Sequence, residues 1–472
     1  MFQLAPHPVR PIVAARKAVL PEEPRTSRVL LSVLGVAAPV YNRFALKLRS
    51  LSMIGSERAV SAYEDFQKGK SRLIVAFRHA YGDEPQLTAQ TLLSVLPREA
   101  KRLGRELPRP THAHFVHGYE VPLWGGAAIR WLLPRFGAVP VHHAKLDSPS
   151  LKRIRGLMTS GSYPLALAPE GQTSYASRSV PRLERGFAHI ALWALADLQA
   201  LGRNETVTVL PLSFHYRYGK EGAKALDRVL SGIESVLGDS APGVPSAKAA
   251  GPVDRLRRAA EALLRSAEGY YEAFHREDHR RAEPIPLGFP AAAGGLNERW
   301  ARVVDAALRA GEGALGLKAE GDAIERTYRI RHACWDRIYG KTEEATPLKA
   351  ALDDRTAGEA WFAMRHMELA DLGFYLDFDG ISADYGTDFL IEGALNFLDA
   401  ASRLMGGNFS ARPVAARRDA VVVAGEPVDM GALASEHGGD RRATAEAALA
   451  ALNDRYRHCV EEYDRRFPNG NR

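Results

Sequence analysis

The sequence predicts an α/β fold with a largely parallel sheet, interrupted by a large helical insertion before its last strand. Three observations predict it. Between residues 45 and 218, short apolar runs alternate with segments of helical spacing, the pattern of a parallel sheet covered by helices. From about 220 to 415 the strand signal fades and helical spacing dominates. One β-like run, "DAVVVAGEPVD" at 419–429, then returns before an amphipathic helix at 440–463. A strand arriving that late belongs to the first sheet, so the chain divides into four parts. These are a basic, partly apolar arm (1–44), the first part of the α/β domain (45–218), the helical insertion (219–417) and the closing strand and helix (418–472).

The elements follow in order. Residues 57–70 read as a helix, and the uncharged run Leu73–Phe77 as a buried strand. Ala89, Leu92, Leu93 and Leu96 have helical spacing, with Pro97 expected to end that helix. "THAHFVHGYEV" alternates like a strand, "LWGGAAIRWLLPRFG" reads as a helix and "AVPVHH" as a short strand. A helix near 148–160 leads to the strand "YPLALAPEG"; the helix "RGFAHIALWALADLQA" leads to the strand "TVTVLPLSFHY". In the insertion, Leu256, Ala260, Leu263, Leu264 and Tyr271 mark one helical face, and the Pro/Gly-rich 282–295 breaks the pattern. Further helices are expected around 297–310, 321–338, 358–372 and 386–405.

Charge and cysteine usage narrow the function classes. The net charge is +7, and residues 1–72 carry all of it, with twelve Lys/Arg against five Asp/Glu. Such a basic segment suits an anionic surface, membrane or nucleic acid, or is simply a solvated tail. No nucleic-acid motif or interleaved aromatic accompanies it, so nucleic acid ranks last. The apolar run Val29–Asn42 contains Pro39 and falls short of the ~20 residues a spanning helix needs. Flanked by Arg28, Arg43, Lys47 and Arg49, it reads either as an interfacial helix or as a core helix covering the sheet. Cys334 and Cys459 have no partner spacing, which disfavours a disulfide framework or structural zinc.

Four blocks near strand ends are candidates for chemistry, because ligands of open α/β sheets gather at the carboxyl ends of strands. The first is His79 with Asp83 and Glu84: a histidine can take a proton from a hydroxyl, and a carboxylate can fix its tautomer. The second is "FGAVPVHH" (136–143), the third "LALAPEGQTSY" (165–175), the fourth "VTVLPLSFHY" around Pro211. His112 and His114 share a strand face without an acidic or cysteine companion, so no metal site is expected. Asp377, Asp379, Asp384 and Asp388 lack calcium-loop spacing and read as a polar loop.

Taken in order, these blocks resemble the motifs of the glycerolipid acyltransferase family, the lysophosphatidate and glycerol-phosphate acyltransferases. Its first motif is Asn-His, four residues, Asp; here His79 matches, Arg78 replaces the Asn and Glu84 stands for the Asp. In the second, Gly137 matches, Pro140 and Val141 hold the apolar pair, and His143 replaces an arginine. In the third, Pro169, Glu170, Gly171 and Ser174 match, while Ala168, Gln172 and Thr173 depart. In the fourth, Leu210, Pro211 and Leu212 match. The resemblance covers about 45–217 and 418–465 and leaves the helical insertion out.

The resemblance implies an acyltransferase-like sheet and direct transfer of a fatty acyl group from acyl-CoA or acyl-carrier protein to a lipid hydroxyl. His79 would be the general base, Glu84 its orienting partner and Asp83 the fallback. Pro169, Glu170, Gly171, Ser174, His143 and Arg178 would bind substrate, Glu170 by contacting the acceptor. No cofactor is needed, and there is no Gly-x-Ser-x-Gly elbow. The family's phosphate-holding arginines are missing at His143 and Thr173. Either Lys145, Arg178, Arg182 and Arg185 substitute, or the acceptor is not a phosphate monoester. The expected location is the cytoplasmic face of a membrane, as a peripheral protein. A non-catalytic lipid-binding relative is the alternative reading.

Overall fold

The computed structural model describes residues 13–19, 22–142, 148–237, 251–342, 346–382, 384–407 and 412–468. The chain forms two compact units. One comprises Pro21–Arg217 with Arg417–Pro468; the other holds Tyr218–Ala416 together with residues 13–19.

The first unit is built in chain order from α1 (Arg28–Phe44), β1 (Leu48–Ile54), α2 (Ser56–Gln67), β2 (Ser71–Phe77), α3 (Glu84–Gln90), α4 (Leu96–Arg102) and β3 (His114–Gly118). It continues with α5 (Val121–Trp124), α6 (Gly126–Arg135), β4 (Val139–Val141), α7 (Ser148–Ser160), β5 (Leu165–Leu167), α8 (Gly186–Ala200) and β6 (Thr206–Arg217). The helical unit follows: α9 (Gly222–Leu237), α10 (Pro252–Phe274), α11 (Arg276–Arg281), α12 (Leu296–Leu315), α13 (Ala323–Ile338), α14 (Pro347–Gly373) and α15 (Thr387–Leu404). The first unit closes with β7 (Arg418–Ala424), β8 (Val428–Asp429), α16 (Met430–Glu436) and α17 (Arg441–Arg466).

The eight strands make one mixed, mostly parallel sheet in the order β1-β7-β6-β2-β5-β3-β4, with β8 also on β6. All seven residues of β2 are buried, as befits a parallel strand covered on both faces. Ile74 and Ala76 pack into a core with Leu165, Phe187, Val209 and Tyr456, so α8 and α17 cover that face. Pro211, without an N–H, sits in β6 at the gap between its antiparallel pairings with β8 (208–209) and β7 (212–217), where no donor is required.

Two local readings need correction. The helix from α3 does not end at Pro97: a π-turn over Thr91–Val95 carries it into α4, with the Leu96 N–H on the Thr91 carbonyl. That one-residue shift starts a fresh helical segment in which Pro97 is near the N-terminus, where its missing N–H costs nothing. Strand β1 escaped the sequence reading because Arg49, Ser50 and Ser52 dilute its apolar signal; parallel pairing with β7 makes it a strand. Residues 28–44 of the expected arm form α1, which packs Leu31 against Leu93 and Tyr163.

In the helical unit, α14 packs on α12 and α13, and α9 on α10 and α15. Its buried Trp300 donates to the Gly373 carbonyl at 2.9 Å, and Arg326 bridges Asp305 (2.6 Å) and Glu312 (2.7 Å). Asp377 and Asp379 hold the start of α12 through Asn297. Cys334 and Cys459 are both buried.

Candidate active site

Strand register brings the first and third blocks together. In the parallel β2–β5 pair, Ala76 lies opposite Leu167. Three residues further on in each segment, just past the strand ends, come His79 and Glu170, at the same carboxyl edge of the sheet. The Glu170 carboxylate accepts the His79 backbone N–H at 2.7 Å. Its other oxygen is bound by Arg78, in an ion pair with both side chains almost wholly buried. The Arg78 guanidinium also donates to the carbonyls of Ala176 (2.7 Å) and Ser179 (2.8 Å). Arg78 and Glu170 thus lash the loop after β5 to the end of β2.

This geometry gives Glu170 a different role from acceptor contact: its carboxylate is turned inward and holds the backbone of His79. Gly171 makes the turn with φ +73°, a left-handed conformation that suits glycine. Pro169 accepts the Glu184 N–H at 2.6 Å, and the buried Ser174 donates its N–H to the His79 carbonyl at 2.8 Å. Tyr175, next in the loop, holds φ +55°, uncommon for a bulky residue.

The imidazole itself is half-buried, with 21% of the side chain exposed. Its Nδ1 lies 2.9 Å from a Glu84 oxygen. Glu84 is fully buried and also accepts from the N–H groups of Tyr81 and Gly82 (both 2.9 Å) and from the Tyr216 hydroxyl (2.7 Å). Burial alone would favour the neutral acid. The hydrogen bond and charge interaction with His79, then hydrogen bonds from Tyr216 and the Tyr81 N–H, outweigh it and hold the carboxyl below the usual range. An ionised Glu84 only accepts, so His79 Nδ1 is the donor of this bond and Nε2 is the ring nitrogen left for another partner. Thr173 Oγ1 stands 3.4 Å from that nitrogen.

Asp83 is not a partner of His79. It pairs with Arg418 of β7, whose buried guanidinium lies over the rings of Tyr216 (4.2 Å) and Tyr81 (5.1 Å). Arg178 is paired with Asp464 of α17. Arg185 faces Glu446 at 3.5 Å on the surface. His143 and Lys145 lie outside the described residues. Gly137 has φ +74°, and a Cβ there would meet His114 Nδ1 at 2.8 Å. His112 is buried among Phe136 and Tyr163, and burial pushes its imidazole down to about 3. Among the described residues no group of three or more His, Cys, Asp or Glu is placed to hold a metal.

Sequence reading missed the parts that act through others: Arg78, Tyr216 and Arg418. Tyr216 carried no local signal beyond its place in a strand, and Arg418 is separated from Asp83 by the whole helical unit. Arg78 looked like a departure from a motif; its buried pairing with Glu170 makes it a strut.

With this geometry in view, no family model matches the chain, and no curated protein matches it either.

Proposed function

We propose that the protein is an acyltransferase moving a fatty acyl group from the thioester of acyl-CoA or acyl-carrier protein to a hydroxyl of a glycerolipid-type acceptor at a membrane surface. One observation carries the reading: a partly exposed histidine at the carboxyl edge of a mostly parallel sheet, its Nδ1 bound to a buried carboxylate and its Nε2 beside Thr173. The order of the four motif-like blocks supports it, and a mostly parallel sheet flanked by helices is compatible with it. His79 Nε2 would take the acceptor's hydroxyl proton as the oxygen attacks the thioester carbonyl. The tetrahedral intermediate then loses the C–S bond, and His79 returns the proton to the leaving thiolate. Glu84 would stabilise the transient imidazolium.

Thr173 beside Nε2, where the family's motif has arginine, favours an acceptor other than a phosphate monoester, since no guanidinium there can grip a phosphate bidentately. His79→Ala should slow transfer of labelled acyl groups by roughly 10²–10⁴-fold, the range for a lost general base. In an acceptor panel, lysophospholipid should be used better than glycerol 3-phosphate. Near-normal transfer by the variant removes the mechanism; efficient, saturable acylation of glycerol 3-phosphate removes the acceptor assignment.

A further inference from the structure

Helix α1 is apolar on two opposite faces, and the sheet unit uses only one. The inner face seats Leu31 against Leu93 and Tyr163, donates from Asn42 Nδ2 to Gln90 at 2.6 Å and accepts from Ser94 at the Gly35 carbonyl. At 100° per residue, Val29, Val33, Val36, Val40 and Phe44 fall within about 80° of arc on the other side. Each of these five is between 55% and 76% exposed. Because the inner face pins the helix, the outer stripe is held in the open. A stripe this continuous marks an interaction surface, unlike scattered surface apolars.

The stripe forms one rim of a groove of about 840 Å³. Val36, Val40 and Phe44 belong to both. Four arginines line the groove, Arg43, Arg49, Arg98 and Arg109, and among the described residues that line it none is acidic. Arg43, Arg98 and Arg109 are exposed; Arg49 is paired with Asp419 at 3.0 Å. The start of α1 is tied to the end of α6, where the Ser27 N–H meets the Arg135 carbonyl. On α6, Trp131 is 53% exposed, and Trp124 of α5 is 43% exposed. No helix, among the described residues, is long and apolar enough to cross a membrane.

We propose that the outer face of α1 and the arginine groove beside it dock on an anionic lipid bilayer, with α1 lying in the interface and phosphate headgroups in the groove. The charge decides the occupant: an apolar stripe beside three exposed arginines, with no acidic residue in the groove lining, fits an anionic leaflet better than a protein surface, which would offer both signs. Exposed tryptophans suit the same headgroup level. The inference rests on the proposed reading only for its purpose, delivery of a lipid acceptor; its test needs no catalysis.

Purified full-length protein is mixed with phosphatidylcholine vesicles, or with mixed phosphatidylcholine–phosphatidylglycerol vesicles, and sedimented. Binding should require phosphatidylglycerol and weaken with salt. Val36→Glu with Val40→Glu should lower it by roughly tenfold or more. Arg43→Gln with Arg109→Gln should remove most of the salt-sensitive part. Leu348→Glu, at an exposed apolar site on α14, should bind as wild type. Circular dichroism and analytical ultracentrifugation accompany each variant. Equal binding to neutral vesicles, unchanged binding by the α1 variants, or a wild-type dimer that Val36→Glu with Val40→Glu dissolves would each overturn the proposal. Acyl transfer to a soluble short-chain acceptor, measured in parallel, reports on the catalytic reading independently.

Discussion

Glu84→Gln isolates the charge behind the candidate base with little change of shape. The carboxylate accepts from four donors: the Tyr81 and Gly82 N–H groups, the Tyr216 hydroxyl and His79 Nδ1. A glutamine amide cannot accept at both ends. Its least costly placement puts the NH₂ where Oε1 was. There the Tyr216 hydroxyl can rotate to accept, while the Tyr81 N–H keeps a 3.1 Å contact to the other oxygen. His79 then still meets an oxygen, and what is lost is the negative charge. Taking the charges as ~4 Å apart and an effective dielectric of ~20, that charge stabilises an imidazolium by about 4 kcal/mol. This corresponds to a rate loss of roughly 10³-fold, carried in kcat because the imidazolium exists only as the reaction proceeds. The assay is single-turnover and steady-state transfer of labelled acyl-CoA to lysophospholipid, with thermal unfolding alongside. Asp83→Asn is the contrast: it removes the Asp83 counter-charge from Arg418 and should lower stability by about 2 kcal/mol, below the range for fully buried pairs because Asp83 touches solvent. A Glu84→Gln enzyme within about tenfold of wild type, or one slowed less than Asp83→Asn, would refute the reasoning.

Three further outcomes follow from the same geometry. Tyr216→Phe deletes one hydrogen bond to Glu84 and should slow transfer by about tenfold with a stability loss near 1 kcal/mol, checked by kcat and urea unfolding. Glu170→Gln leaves Arg78 buried without its counter-charge and should destabilise the sheet unit by about 3–5 kcal/mol, read by denaturant titration; a purely catalytic defect would contradict the strut role. Burial pushes the imidazoles of His112 and His215 down to about 3, so the unfolded chain binds their protons first as pH falls below ~6.5. Stability is therefore full above that pH and is lost below it by about 1.4 kcal/mol per pH unit for each, which equilibrium unfolding at pH 7 and pH 5 would detect.

The sequence by itself determined the class of the fold. Apolar runs such as Leu73–Phe77 have one stable destination, a strand buried on both faces, and their alternation with helical segments dictates a mostly parallel sheet. It also placed His79 and Glu84 near each other, because five residues of turn and first helical turn leave little freedom. Contacts across hundreds of residues were decided only by tertiary structure. The offset of His79 and Glu170 depends on the β2–β5 register, and strand register is set by packing. The Asp83–Arg418 pair and the Tyr216 hydrogen bond depend on β6 and β7 lying side by side after the chain has left the sheet for the helical unit. Even α1, whose composition suited both a core helix and an interfacial one, kept both characters. Its inner face found a partner within the unit, and its outer face was left bare because helix geometry allows only one side to reach the sheet.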